Sequence, residues 1–103
     1  MPFYVYVIEL DDDCRWCRNR PTALPSRCVY VGESYYPPEE RLQQHLAGIR
    51  PGKPFKMGCS EARLRPELYS HIPPVHDEAE ARRLEDELGK TLRSQGYAVA
   101  GGH

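Results

Sequence analysis

Glu85 is the residue of this 103-residue chain whose position most needs a chemical explanation. At 100° per residue, Ala81, Leu84, Leu88 and Leu92 fall within an arc of about 80°, and Glu85 lies about 20° beyond one end of it. Asp86 is roughly opposite and Glu87 about 60° outside the other end, so Glu85 is the acid committed to the interior edge. A carboxylate there costs several kcal/mol unless a cation meets it. The partner is either an arginine, with Arg82 and Arg41 in reach, or a divalent metal ion, which takes hard oxygen ligands in a partly open site. Arg41 and His45 stand four residues apart on an earlier helix, at the edge of the stripe formed by Leu42 and Leu46. In "CVYVGES", residues 28–34, Tyr30 precedes Gly32 by two residues, which suits either core packing at a strand end or a built site.

Cys14, Cys17, Cys28 and Cys59 form a second constellation. In an oxidising compartment they would read as two disulfides; with no secretion signal in view, reduced thiols are the preferred reading and a structural zinc site the alternative. A C-x2-C pair on a loop is a zinc half-site, because two thiolates at that spacing reach one tetrahedral ion.

The elements that must position these residues follow from pattern. Residues 3–10, "FYVYVIEL", form a strand buried on both faces, with Tyr4, Tyr6, Ile8 and Leu10 on one side and Phe3, Val5 and Val7 on the other. Residues 11–27 have no helix or strand period and make a long loop, between two strands that pair as a hairpin; a loop that long calls for a function or a staple. "CVYVG" is a short second strand. Pro37, Pro38, Glu39 and Glu40 suit the start of the next helix and Gly48 its stop. Residues 49–66 read as a basic, Pro- and Gly-rich loop with one helical turn at "SEARL", and 67–72, "ELYSHI", as a third strand. A long helix runs from Asp77 to about Gln95, with Asp77 and Glu80 at capping-box spacing and Gly96 as its stop; "YAVAGGH" closes the chain as a short strand.

Length allows one domain, residues 1–103, with any separate targeting element on another chain. No apolar run is long enough for a membrane span and the N-terminus lacks signal-peptide features, which points to a cytoplasmic protein. The net charge of −1 excludes a strongly basic coat, yet residues 14–65 carry ten Lys or Arg against four acids, enough for a basic face toward phosphate.

Taken in order, "YVY" at 4–6, "YVG" at 30–32, "RLQQH" at 41–45 and "RRLEDEL" at 82–88 resemble the GIY-YIG nuclease superfamily, over nearly the whole chain and in the manner of its small stand-alone members. The resemblance implies an α+β fold, a small mixed sheet of about three strands flanked by helices. It also implies that Tyr6 matches the tyrosine of the first motif, Tyr30 and Gly32 the second, Arg41 and His45 the functional pair of the first helix, and Glu85 the metal ligand. Tyr4 stands where the first motif has glycine, residues 11–27 are an inserted loop, and the asparagine many members carry after the last helix is absent. The resemblance implies a DNA endonuclease using Mg2+ or Mn2+, and a one-metal scheme is expected because Glu85 is the only inward acid found. Glu85 holds the ion, Arg41 clamps the phosphate, Tyr30 or Tyr6 accepts the proton of water and His45 orients it. Cutting both strands calls for a homodimer. The alternatives are an inactive nucleic-acid-binding or protein-interaction module on the same fold, and a zinc-stabilised adaptor acting through residues 11–27. His71, His76, His103 and Trp16 have no assigned role.

Overall fold

The structure, a computed structural model, describes residues 2–20, 22 and 24–102; His103 lies outside them. In chain order the elements are β1 (Tyr4–Leu10), α1 (Arg15–Arg18), β2 (Cys28–Ser34), α2 (Pro38–Leu46), α3 (Lys53–Lys56), β3 (Ala62–Leu64), a 3-10 turn (Pro66–Leu68), α4 (Glu78–Ser94) and β4 (Ala98–Gly101). They make an α+β fold around one mixed four-stranded sheet of order β3-β1-β2-β4. β1 is antiparallel to β2 and β3, and β4 runs parallel to β2.

Alternation along β1 and β2 divides the interior into two cores. Tyr6, Ile8, Leu10 and Cys28 point to one face, where Trp16 of α1 and Leu42 of α2 cover them. Val5, Val7, Val29 and Val31 point to the other, under Ala81, Leu88 and Leu92 of α4. Both faces are shielded from water, which is why these strands read as unbroken apolar runs. The N-terminus of α4 is capped by Asp77, whose Oδ1 accepts from the Ala79 N–H at 3.0 Å. Glu80 does not close the capping box; it pairs with Arg83 instead.

Several expectations need correction. The third strand is not 67–72 but Ala62–Leu64, inside the stretch expected to form a helical turn. Charge explains the choice: Glu9 of β1 pairs across the strands with Arg63 at 3.2 Å and with Arg65 just beyond β3 at 3.0 Å. "ELYSHI" instead enters a 3-10 turn led by Pro66, and Leu68, Tyr69 and Ile72 pack beneath α4 at turn rather than strand spacing. A short helix, α3, forms in the basic loop, and β2 runs past Gly32 to Ser34. On α2 the buried pair is Leu42 and His45, while Leu46 is exposed.

The cysteines are not free thiols. α1 brings Cys14 and Cys17 in from the segment after β1, so that Cys14 bonds to Cys59 and Cys17 to Cys28, with Cα separations of 5.0 Å and 6.0 Å. These are ordinary disulfide spans. No helix among the described residues is long and apolar enough to cross a membrane.

Candidate active site

The centre of the site is the β1–β2 register. Tyr6 lies directly opposite Gly32, and a methyl group on Gly32 would sit 2.6 Å from Tyr6 Oη and 3.0 Å from the Tyr30 ring. Glycine is needed there because two tyrosine rings converge over its backbone. The loop after α2 closes over them: a methyl group on Gly52 would lie 2.5 Å from the Tyr30 ring, and Phe55 stacks on His45 at 4.5 Å between centroids.

His45 is almost wholly buried and bonded through both ring nitrogens. The Gly52 N–H donates to Nδ1 at 3.0 Å, and Nε2 is 3.0 Å from Tyr6 Oη. A backbone N–H can only donate, so Nδ1 is the acceptor and Nε2 carries the proton, which it gives to the Tyr6 oxygen. Burial, with the Arg41 charge as a second cause, lowers the His45 pKa to about 4. The imidazole is therefore neutral at physiological pH. Because this value is below the unfolded one, protons bind preferentially to the unfolded chain as pH falls from about 6.5 toward 4, and stability falls with them. Urea unfolding at pH 7 and pH 5 should show the wild type losing about 2 kcal/mol more than His45→Gln. Equal losses would count against the assignment.

Glu85 and Tyr30 face one hollow of about 490 Å3, lined also by Gly32, Glu33 and Arg82. It opens where β4 stops: past the Val31–Gly101 pair, β2 continues through Gly32, Glu33 and Ser34 with β1 on one side only, among the described residues. At this notch groups from both faces of the sheet meet. Glu85, buried on α4, accepts from the Gly102 N–H at 3.2 Å. Gly102 has φ +62° and a methyl group there would lie 3.1 Å from Gly89 of α4, so the glycine just past β4 lets backbone press against the helix.

Of the five residues singled out from sequence, Glu85 and Tyr30 share the hollow. Tyr6 and His45 stand behind it, in the protein interior. Arg41 lines an adjoining hollow of about 230 Å3 with Tyr35, Tyr36 and Arg50, and Glu33 is a wall of both. Its Nη1 donates to Gln44 Oε1 (3.2 Å) and the Ile49 carbonyl (3.0 Å), and Nη2 to the Arg50 carbonyl (2.7 Å). The groups nevertheless sense one another. Burial, then Tyr30, pushes the Tyr6 phenol far above its usual range, with Arg41 pulling it back and Glu85 adding to the rise. The Tyr30 phenol is raised by burial first and Glu85 next, against Arg41.

Glu33 corrects the expectation of a single inward acid. Its pKa is raised by burial, Glu78 and Glu85, with Arg82, 3.7 Å away, opposing. Its Oε2 is buried without a hydrogen-bond partner among the described residues. Ending β2 at Gly32 hid this residue; continued alternation puts Glu33 on the same side as Val29 and Val31, toward α4. Arg82, expected as a partner of Glu85, stands 3.7 Å from Glu33; Gly52 and Gly102 carried no signal that pattern reading detects. A larger groove, about 610 Å3, lies between α4 and residues 67–75, is lined mainly by apolar side chains and contains none of these groups.

Fold and site together define an α+β domain with tyrosines from paired strands and acids brought by a strand and a helix around a solvent-open notch. The family model described as the GIY-YIG catalytic domain matches residues 2–98, and the chain belongs to that family. Membership implies the nuclease-type activity of the superfamily. No curated protein and no solved structure gives a significant match to the chain.

Proposed function

We propose that the chain is a divalent-metal-dependent DNA endonuclease acting at the notch between β2 and α4. The observation that carries this reading is Glu33 Oε2, a buried carboxylate oxygen without a hydrogen-bond partner, in the hollow that Glu85 also lines. Two hard oxygen donors with raised local negative charge fit Mg2+ or Mn2+. A cation held by Glu85 and Glu33 supplies charge relief at the scissile phosphate and its leaving 3′ oxygen.

The chain's own groups do the rest. Tyr30, which faces the hollow, takes the proton of the attacking water; Tyr6 is too deeply buried to meet that water. The Tyr30 pKa is raised first by burial and then by Glu85, with Glu33 a smaller cause, so neutralising those carboxylates removes part of the rise. Rates should accordingly climb on the alkaline side of neutrality. His45, held as the Nε2–H tautomer, anchors Tyr6, and the Tyr6 ring in turn sets the position of Tyr30 over Gly32. Arg41 and Arg82 contribute positive charge to the phosphate from two sides.

Arg50 lines the same hollow as Arg41, and with Lys53 and Lys56, exposed on the short helix that follows, it offers a cationic path for the DNA backbone. Arg50→Ala and Lys53→Ala should each weaken DNA binding across sequences and lower the slope of log K against log salt by about 1; filter binding between low and moderate salt measures it. The deciding experiment for the function is nicking of supercoiled plasmid in Mg2+ or Mn2+ with chelator controls. Metal-dependent conversion to the open circle is expected; binding without cutting would leave the inactive binding module as the reading.

A further inference from the structure

The cysteines hold an arrangement that two disulfides alone do not require. Cys14 is the residue before α1, Cys17 lies in that helix, Cys28 begins β2 and Cys59 follows α3, yet all four are buried together. The sulfurs of Cys14, Cys17 and Cys59 lie within 4.8 Å of one another, and the Cys28 sulfur is bonded to that of Cys17. A disulfide needs only its own two sulfurs to be close; two of them could sit anywhere in the fold. Three sulfurs mutually within 4.8 Å, with a fourth bonded to one of them, are close to what a tetrahedral ion needs, since a Zn–S bond of about 2.3 Å places the sulfurs roughly 3.8 Å apart. A four-thiolate zinc centre carries two negative charges, and Arg15, Arg18 and Lys56 are exposed on the short helices that bring Cys17 and Cys59 in.

We propose that Cys14, Cys17, Cys28 and Cys59 form a structural zinc site, in which the reduced chain holds one Zn2+ through four thiolates. Two equivalents of a dithiol or phosphine reductant convert the two disulfides to four thiols. Zinc then displaces four protons to give the tetrathiolate. The ion ties α1 and the turn after α3 to β2, on the sheet face opposite α4, away from the Glu85 hollow. It acts in folding and not in the cleavage step.

Reduced, metal-free protein titrated with Co2+ tests this without an activity assay. One Co2+ per chain should bind, with intense sulfur-to-cobalt charge-transfer absorption and the visible bands of a tetrahedral four-thiolate centre, and one equivalent of Zn2+ should bleach them. Cys59→Ser should weaken binding by at least about tenfold, judged against the 10–100-fold cost of losing even an outer contact, and change the band pattern to three sulfurs and one oxygen. Glu85→Gln should leave the spectrum as it is. If the reduced chain unfolds without metal, zinc should restore its far-UV circular dichroism. A reduced chain that stays folded and yields no charge-transfer band, or one that unfolds and is not recovered by zinc, overturns the proposal.

Discussion

Glu85→Gln is expected to reduce metal-dependent plasmid nicking by at least about 10³-fold, the loss of several kcal/mol of charge stabilisation in the transition state. The amide keeps the volume of the carboxylate and an oxygen able to accept from the Gly102 N–H, so the contact at 3.2 Å survives. What it loses is the negative charge offered to a cation. Thermal melting should stay near that of the wild type, which separates a lost ligand from a lost fold. Glu33→Gln should act in the same direction, and because the buried Oε2 has no hydrogen-bond partner, it should leave stability unchanged or raise it. Cutting by Glu85→Gln at the wild-type rate in either metal would rule out the proposed metal site.

Gly32→Ala is the second large effect, through shape instead of charge. The added methyl group meets Tyr6 Oη at 2.6 Å, and Tyr6 cannot swing aside because it is 1% exposed and hydrogen-bonded to His45. Overpacking of this kind costs about 1–3 kcal/mol, and each kcal/mol lowers Tm by roughly 4–8 °C in a chain of this size. Cleavage should fall further than stability does, since the displaced rings include Tyr30. Calorimetry and nicking at a temperature where the variant is fully folded would separate the two losses. An alanine variant with unchanged Tm would show that the rings do not converge over residue 32.

Much of this was legible in the sequence where a strong period or charge pattern existed. Unbroken apolar runs in residues 3–10 and 28–32 located the central strands, the two-residue side-chain period gave their faces, and the arc on α4 picked out Glu85. The arginine and histidine of α2 were found by spacing, but their surroundings were not. His45 looked like an edge residue because Leu46 seemed the better candidate for burial; Phe55 and Gly52, distant in sequence, turn the imidazole inward. β3 was missed because three residues carry no period, and what fixes them is an ion pair with Glu9 on a different strand. Glu33 was hidden by treating a glycine as the end of a strand when its role is to make room for a ring. The cysteine spacing left open how the thiols would be used, because chain folding, not local sequence, decides which sulfurs meet.

The pairing of Tyr6 with Gly32 has a consequence for assembly. The segment joining β1 to β2 is too long to dictate their alignment, as a two-residue hairpin turn would. Sliding one strand by a single residue would bring Val5 or Val7 against Gly32 and put the two phenols on opposite faces of the sheet. No half-formed version of the notch exists along that path: the chain either aligns its two central strands and becomes competent, or misaligns them and presents valine where chemistry should be. Anchoring at Cys28, the first residue of β2, therefore works as a stop against slippage, so that the cysteine cluster proofreads the geometry of a site it never touches.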